Sequence, residues 1–260
     1  MTYCLGIRVK EGLVALADGR VTAGNQIAAA QKVIMLGAGG AQFFVMTSGL
    51  RSVRDKVIAY MKRSYRADQA DAFPTLLDAV TAFAACLRKV RDEDADALKQ
   101  SDLPFNLHAI IGGQLSKDTE PQIVLVYPEG NWIAVDERSP YISIGATTYG
   151  KPILDRGLTV NTSLRHAVKL AYLSFDSTRL SATDVGFPID MLTFEAATLL
   201  WRSDHFAHDD MVEQRQWWNQ NIKQLAERMP EGPWVSGLLP AAGDESTEHR
   251  IALVPKSLEG

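Results

Sequence analysis

Thr2-Tyr3-Cys4-Leu5-Gly6-Ile7-Arg8 and Gly12-Leu13-Val14-Ala15-Leu16-Ala17-Asp18 are two short apolar runs joined through Lys10-Glu11-Gly12, a pattern that predicts a β-hairpin. Gln31-Lys32-Val33-Ile34-Met35-Leu36 and Gln42-Phe43-Phe44-Val45-Met46-Thr47 repeat the pattern around Gly37-Ala38-Gly39-Gly40. Two consecutive hairpins favour an antiparallel sheet. Helical spacing follows: Val53, Val57, Ile58 and Met61 between Leu50 and Arg66, then Leu76, Leu77, Val80, Phe83, Ala84, Leu87 and Val90 in a helix from Pro74 to about Leu98. Strands return at 108–113, 123–127, 132–135 and 141–144, helices near 147–157 and 162–175, a strand near 189–195, a helix near 209–228 and a last strand at 250–254. Strands and helices in separate blocks predict an α+β fold with helices outside packed antiparallel sheets.

Composition narrows the function. The chain has 260 residues, enough for a sizeable core without a disulfide or metal staple. Its net charge of −4, with no long basic run, argues against nucleic acid and anionic membranes as partners. No apolar stretch reaches the length of a membrane span. Two cysteines, Cys4 and Cys86, fit a reducing compartment, and the opening residues lack a secretory signal, so a cytoplasmic location is expected.

Four places carry candidate chemistry. Thr2 follows the initiator, and removal of Met1 would give one residue both a hydroxyl and a free α-amine. With a reference pKa of about 7.7–8.0, that amine can serve as base for its own hydroxyl. Asp18 ends the second run; before Gly19, a turn-forming aspartate is the commoner reading. Lys32 stands among apolar residues and needs a partner, which Asp18 can supply. Thr47-Ser48-Gly49 precedes a helix, where backbone N–H groups can face a developing oxyanion, although Ser48 also suits an ordinary N-cap. His205-Phe206-Ala207-His208-Asp209-Asp210 reads as a solvated helix start rather than a metal cluster, and no metal or cofactor is expected. Cys4 reads as a packed thiol and Trp217-Trp218 as core or subunit interface.

Taken together, Thr2-Tyr3-Cys4, Ala17-Asp18-Gly19-Arg20, Gln31-Lys32-Val33, Ser48-Gly49, Tyr149-Gly150-Lys151-Pro152-Ile153-Leu154-Asp155, Phe175-Asp176-Ser177-Thr178 and Gly186-Phe187-Pro188-Ile189-Asp190 resemble the proteasome β-type family of N-terminal nucleophile hydrolases. The resemblance is to its bacterial Anbu branch, and more distantly to HslV. It implies a four-layer αββα sandwich as a single domain over 1–260, with a C-terminal helical extension at about 196–248. It implies Thr2 as nucleophile, Lys32 lowering the amine pKa, Asp18 orienting Lys32, and the Gly49 N–H in the oxyanion hole. Asp176 would orient the nucleophile, with Ser177 behind it. The supporting serine of the family falls near Ala146, which has no hydroxyl; Thr147, Thr148 or a water would have to replace it. The resemblance further implies identical subunits in a ring or helically offset oligomer, a peptide or unfolded-protein substrate, and an unidentified ATPase as a candidate partner. Two rival readings stay open: an assembly subunit with little or no peptidase activity, and an amidase on small or modified peptides.

Overall fold

The computed structural model describes residues 2–23, 26–37, 41–64 and 73–238. The first hairpin forms as β1 (Tyr3–Val9) and β2 (Gly12–Asp18), and the second as β5 (Val33–Leu36) and β6 (Phe43–Gly49). They do not share a sheet. One five-stranded sheet has the order β10-β1-β2-β11-β12, adding β10 (Tyr141–Gly145), β11 (Ile189–Glu195) and β12 (Leu200–Phe206). The other has the order β5-β6-β7-β8-β9, adding β7 (Leu107–Gly113), β8 (Gln122–Val126) and β9 (Trp132–Ala134). Every pairing is antiparallel. Between the hairpins, β3 (Arg20–Ala23) and β4 (Gln26–Ala29) form a separate two-stranded ribbon.

Side-chain alternation explains the layering. Along β1 and β2, Cys4, Leu13, Ala15 and Ala17 face inward and meet Phe44, Met46, Ile110 and Ile123 of the other sheet. Tyr3, Leu5, Ile7, Val14 and Leu16 face outward onto Leu170, Ala171 and Phe175 of α4 (Leu164–Ser181). Phe43, Val45, Ala109 and Ile111 face outward from the second sheet onto Val53 and Val57 of α1 (Arg51–Ser64) and Val80, Phe83 and Leu87 of α2 (Leu76–Gln100). A helix layer therefore covers the outer face of each sheet, which is the expected four-layer αββα arrangement. Strands whose two faces are both covered lose the inside/outside alternation of polarity, and β2 is buried at every position.

The helix starts are specified locally. Thr75 caps α2 in a reciprocal box with Asp78, whose backbone N–H donates to Thr75 Oγ1 (3.2 Å) while Thr75 N–H donates back to the Asp78 carboxylate (3.0 Å). Ser163 caps α4, and α3 (Lys151–Gly157) carries a proline in its first turn.

Two expectations are corrected. The helical extension expected from about 196 opens instead with strand β12, an edge strand paired in register with β11 from Ile189↔Phe206 to Glu195↔Leu200. Its side chains are mostly exposed, so no apolar periodicity marks it as a strand. The helix expected near 147–157 starts at Lys151. The chain divides into two compact units, Met1–Arg215 and Gln216–Gly260. The first contains both sheets. After a short 3₁₀ turn at Asp209–Met211, α5 (Val212–Glu227) runs across the boundary, and α6 (Pro233–Leu238) belongs to the second unit. The final strand expected at 250–254, and the extension beyond 238, lie outside the described residues.

Candidate active site

The site gathers where β1 begins, β2 ends and β5 is about to start. Thr2 lies one residue ahead of β1 and is buried. Its carbonyl accepts the Ala146 N–H at 2.8 Å. Gly145 beside it has φ +88°, and a Cβ there would stand 1.8 Å from the Thr2 carbonyl oxygen, so only glycine permits this approach.

Asp18, the last residue of β2, is fully buried and converges with Thr2 on one oxygen. Asp18 Oδ1 accepts the Tyr3 N–H at 2.8 Å, the Lys32 ammonium at 2.7 Å and, at a longer 3.4 Å, the Thr2 hydroxyl. Lys32 Nζ also donates to the Arg20 carbonyl at 2.8 Å. Burial pushes the Asp18 carboxyl above the usual carboxylate range, while the Lys32 charge and N–H donation from Tyr3 and Gly186 pull it back. A carboxylate and an ammonium that are both removed from water hold one another only if geometry and further hydrogen bonds compensate for desolvation; the Arg20 carbonyl and the Tyr3 N–H fill that need.

Gly49 ends β6, two residues before α1. Its φ is +134°, and a Cβ would sit 2.2 Å from the Asn106 carbonyl oxygen. The neighbouring Cys4 Sγ lies 3.9 Å from the Thr47 carbonyl oxygen, so the end of β6 is stitched to the start of β1, near Thr2. Burial raises the Cys4 thiol pKa well above its ordinary value and keeps it protonated, which is how a packed thiol behaves.

Asp176 and Ser177 are not brought into this set. The Asp176 carboxylate is fully buried on α4 and pairs with Arg179 one turn on, at 2.7 Å from Nε and 2.6 Å from Nη2. Among the described residues no hydrogen bond joins it to Thr2, Asp18 or Lys32. Its Oδ1 is engaged within its own helix by Arg179, whose guanidinium lies over the Phe187 ring. Ser177 is half-buried on the same helix and makes no side-chain hydrogen bond among the described residues.

Other contacts of the site were not singled out by sequence reasoning. Gly19 N–H donates to the Pro188 carbonyl at 2.6 Å, and Ala30 N–H to the Gly19 carbonyl at 2.9 Å. The Tyr3 and Ser174 hydroxyls lie 2.6 Å apart, and Ser174 passes its proton donation to the Gly150 carbonyl at 2.9 Å, so a buried polar thread ties the start of β1 to α3 and α4. Asp190 accepts the Lys32 backbone N–H. The segment Gly186-Phe187-Pro188-Ile189-Asp190 was conspicuous in the sequence, but nothing in it pointed to a partner more than 150 positions away. Of His205 and His208, the first pairs with Asp190 and the second with Asp209 and Arg215. No group of three or more metal-ligating side chains occurs among the described residues.

Comparison with known proteins agrees with this architecture. Residues 2–193 match the family described as proteasome subunit. The chain belongs to the proteasome subunit family, a family of proteasome-type peptidases. Its structural likeness lies with Anbu, the ancestral β-subunit branch. The Anbu complex of Pseudomonas aeruginosa, solved as a helical assembly, is 32 % identical, with a TM-score of 0.81 over 89 % of this chain and 98 % of that one. Anbu from Hyphomicrobium sp. is 30 % identical, with a TM-score of 0.77 over 88 % and 99 %. Proteasome subunit beta 2 of Pyrobaculum islandicum is 27 % identical over 195 residues, 74 % of this chain and 90 % of that protein. No described helix is long and apolar enough to cross a membrane.

Proposed function

We propose that the chain is a self-compartmentalising N-terminal threonine hydrolase that cleaves peptide or amide bonds through an acyl-ester on Thr2. The observation that carries this reading is the single Asp18 oxygen shared by the Tyr3 N–H, the Thr2 hydroxyl and the Lys32 ammonium. Met1 lies outside the described residues; its removal would put a free α-amine on the nucleophile itself. The amine takes the proton of the Thr2 hydroxyl as its oxygen attacks the substrate carbonyl carbon. The tetrahedral oxyanion faces the Gly49 N–H, with the Lys32 charge behind the nucleophile. Collapse breaks the C–N bond, and the leaving amine departs with the proton held by the α-amine. A water, deprotonated by the same amine, then hydrolyses the ester and restores Thr2. Lys32 disfavours a second positive charge nearby, which holds the amine neutral near working pH.

Identical subunits in a ring or helically offset oligomer would limit access to unfolded or short chains, in a cytoplasmic particle that an ATPase could feed. The helical assembly of the Pseudomonas aeruginosa Anbu complex supports this oligomeric reading. A second reading, an assembly subunit with little peptidase activity, is favoured by Ala146: it offers Thr2 a backbone N–H but no hydroxyl to relay a proton.

Intact mass and a two-point electrophile that bridges a free amine and its hydroxyl separate the readings. The mature protein is expected to lack Met1 and to gain one adduct per chain. Thr2→Ala is expected to take none and to lose all turnover of unfolded protein, peptide and small-amide substrates. No adduct on protein lacking Met1, with Thr2→Ala as active as the parent, rejects the hydrolase reading.

A further inference from the structure

Lys32 is held at both ends. Its side chain is fixed by Asp18 and the Arg20 carbonyl. Its backbone lies outside any strand, since β5 pairing begins only at Val33↔Met46. The Lys32 N–H therefore has no ladder partner, and it donates instead to Asp190 Oδ2 at 3.3 Å. Asp190 is 6 % exposed and sits on β11, directly across from Ala17 of β2 and His205 of β12. Its other oxygen, Oδ1, lies 2.8 Å from His205 Nδ1, which donates to it. A buried carboxylate with both oxygens engaged is a rigid anchor. It reaches the main chain of the residue whose ammonium organises the nucleophile.

We propose that Asp190 is a positioning residue for the hydrolytic site: it pins the Lys32 main chain, so that the lysine's long, flexible stem delivers its ammonium to Asp18 Oδ1, while His205 orients Asp190 from the neighbouring strand. Lysine is a point charge on four rotatable bonds, so its placement depends on where its backbone is held. Displacements of about 1 Å in such a site lower turnover by about 10²-fold. The inference rests on the reading of Thr2, Asp18 and Lys32 as the reacting set.

The test uses the full-length assembled protein with Asp190→Ala, Asp190→Asn and His205→Ala. Two readouts are taken: hydrogen exchange at the Lys32 amide, and kcat and KM for a peptide substrate. In Asp190→Ala the Lys32 amide is expected to exchange at least tenfold faster while Leu192 on β11 keeps its protection, and kcat is expected to fall about 10²-fold with KM little changed. Asp190→Asn, whose amide oxygen still accepts the N–H, restores protection and most of kcat. His205→Ala gives an intermediate result. Unchanged Lys32 exchange in Asp190→Ala, or full kcat there, overturns the proposal. Should Asp190→Ala fail to fold, Asp190→Ser replaces it: serine is too short to reach, and equal exchange in the Ser and Asn variants overturns it equally. Failure of the parent protein to take an electrophile on Thr2 rejects the hydrolase reading alone, because the exchange readout does not depend on turnover.

Discussion

Lys32→Met is expected to be the most damaging single change for both stability and turnover. Methionine matches the aliphatic stem, so packing is nearly kept, but the fully buried Asp18 loses its counter-charge. Removing one partner of a buried ion pair typically costs about 3–5 kcal/mol. Burial already pushes the Asp18 carboxyl up, so part of this penalty is relieved as Asp18 takes a proton in the variant. Urea unfolding is expected to show the loss, largest at high pH, where Asp18 stays ionised, and smaller as pH falls and the carboxyl becomes neutral. On the proposed mechanism, turnover is expected to fall by about two to four orders of magnitude, because both the amine pKa and charge stabilisation at Thr2 would depend on the ammonium. Lys32→Met combined with Asp18→Asn is expected to regain most of the stability and none of the activity. Recovery of activity in that double variant would refute the role assigned to the pair.

Gly49→Ala is the second large effect. The added methyl would meet the Asn106 carbonyl at 2.2 Å, and that atom is backbone immediately before β7, so it cannot swing away. The φ of +134° alone is strained for an L side chain, by about 1–3 kcal/mol. Relief requires β6 to separate from β7 at Gly49↔Leu107, which on the proposed mechanism turns the Gly49 N–H away from the oxyanion. The expected result is a lower unfolding midpoint together with a fall in kcat of about 10²–10³-fold at nearly constant KM. A stable variant with normal kcat would show that this N–H does not face the reaction.

The sequence made some parts of this structure readable for identifiable reasons. Leu76, Val80, Phe83, Leu87 and Val90 all point one way because α2 has one buried stripe, and the stripe was visible as spacing. β1 and β2 were visible because they are short, apolar and joined by a tight turn. That the two hairpins belong to different sheets was not visible, since it depends on β10 and β11 arriving beside β1 and β2. β12 escaped because Leu200-Trp201-Arg202-Ser203-Asp204-His205 is an exposed edge that owes its conformation to pairing with β11 rather than to burial. That Thr2, Asp18 and Lys32 meet was legible because the chemistry proposed for them restricts which residue types can serve, and the structure brings these three together. The Arg179 pairing of Asp176 was not legible, because a buried acid looks the same in sequence whether or not an arginine one turn on engages it. Asp190 was overlooked because its role is to hold a backbone amide, which leaves no mark on the lysine's identity.

The first sheet carries a consequence for how the protein is made. Thr2 precedes β1, yet β1 has its outer neighbour at Tyr141–Gly145 and β2 has its own at Ile189–Glu195. Thr2, Asp18 and Lys32 are therefore synthesised well before the strands that complete the sheet around them. Pairing over such separations is slow to form compared with local hairpins. On the proposed reading, prematurely terminated products carry a threonine but no working centre. On that same reading, the layout delays hydrolytic power until synthesis of the sandwich is nearly finished.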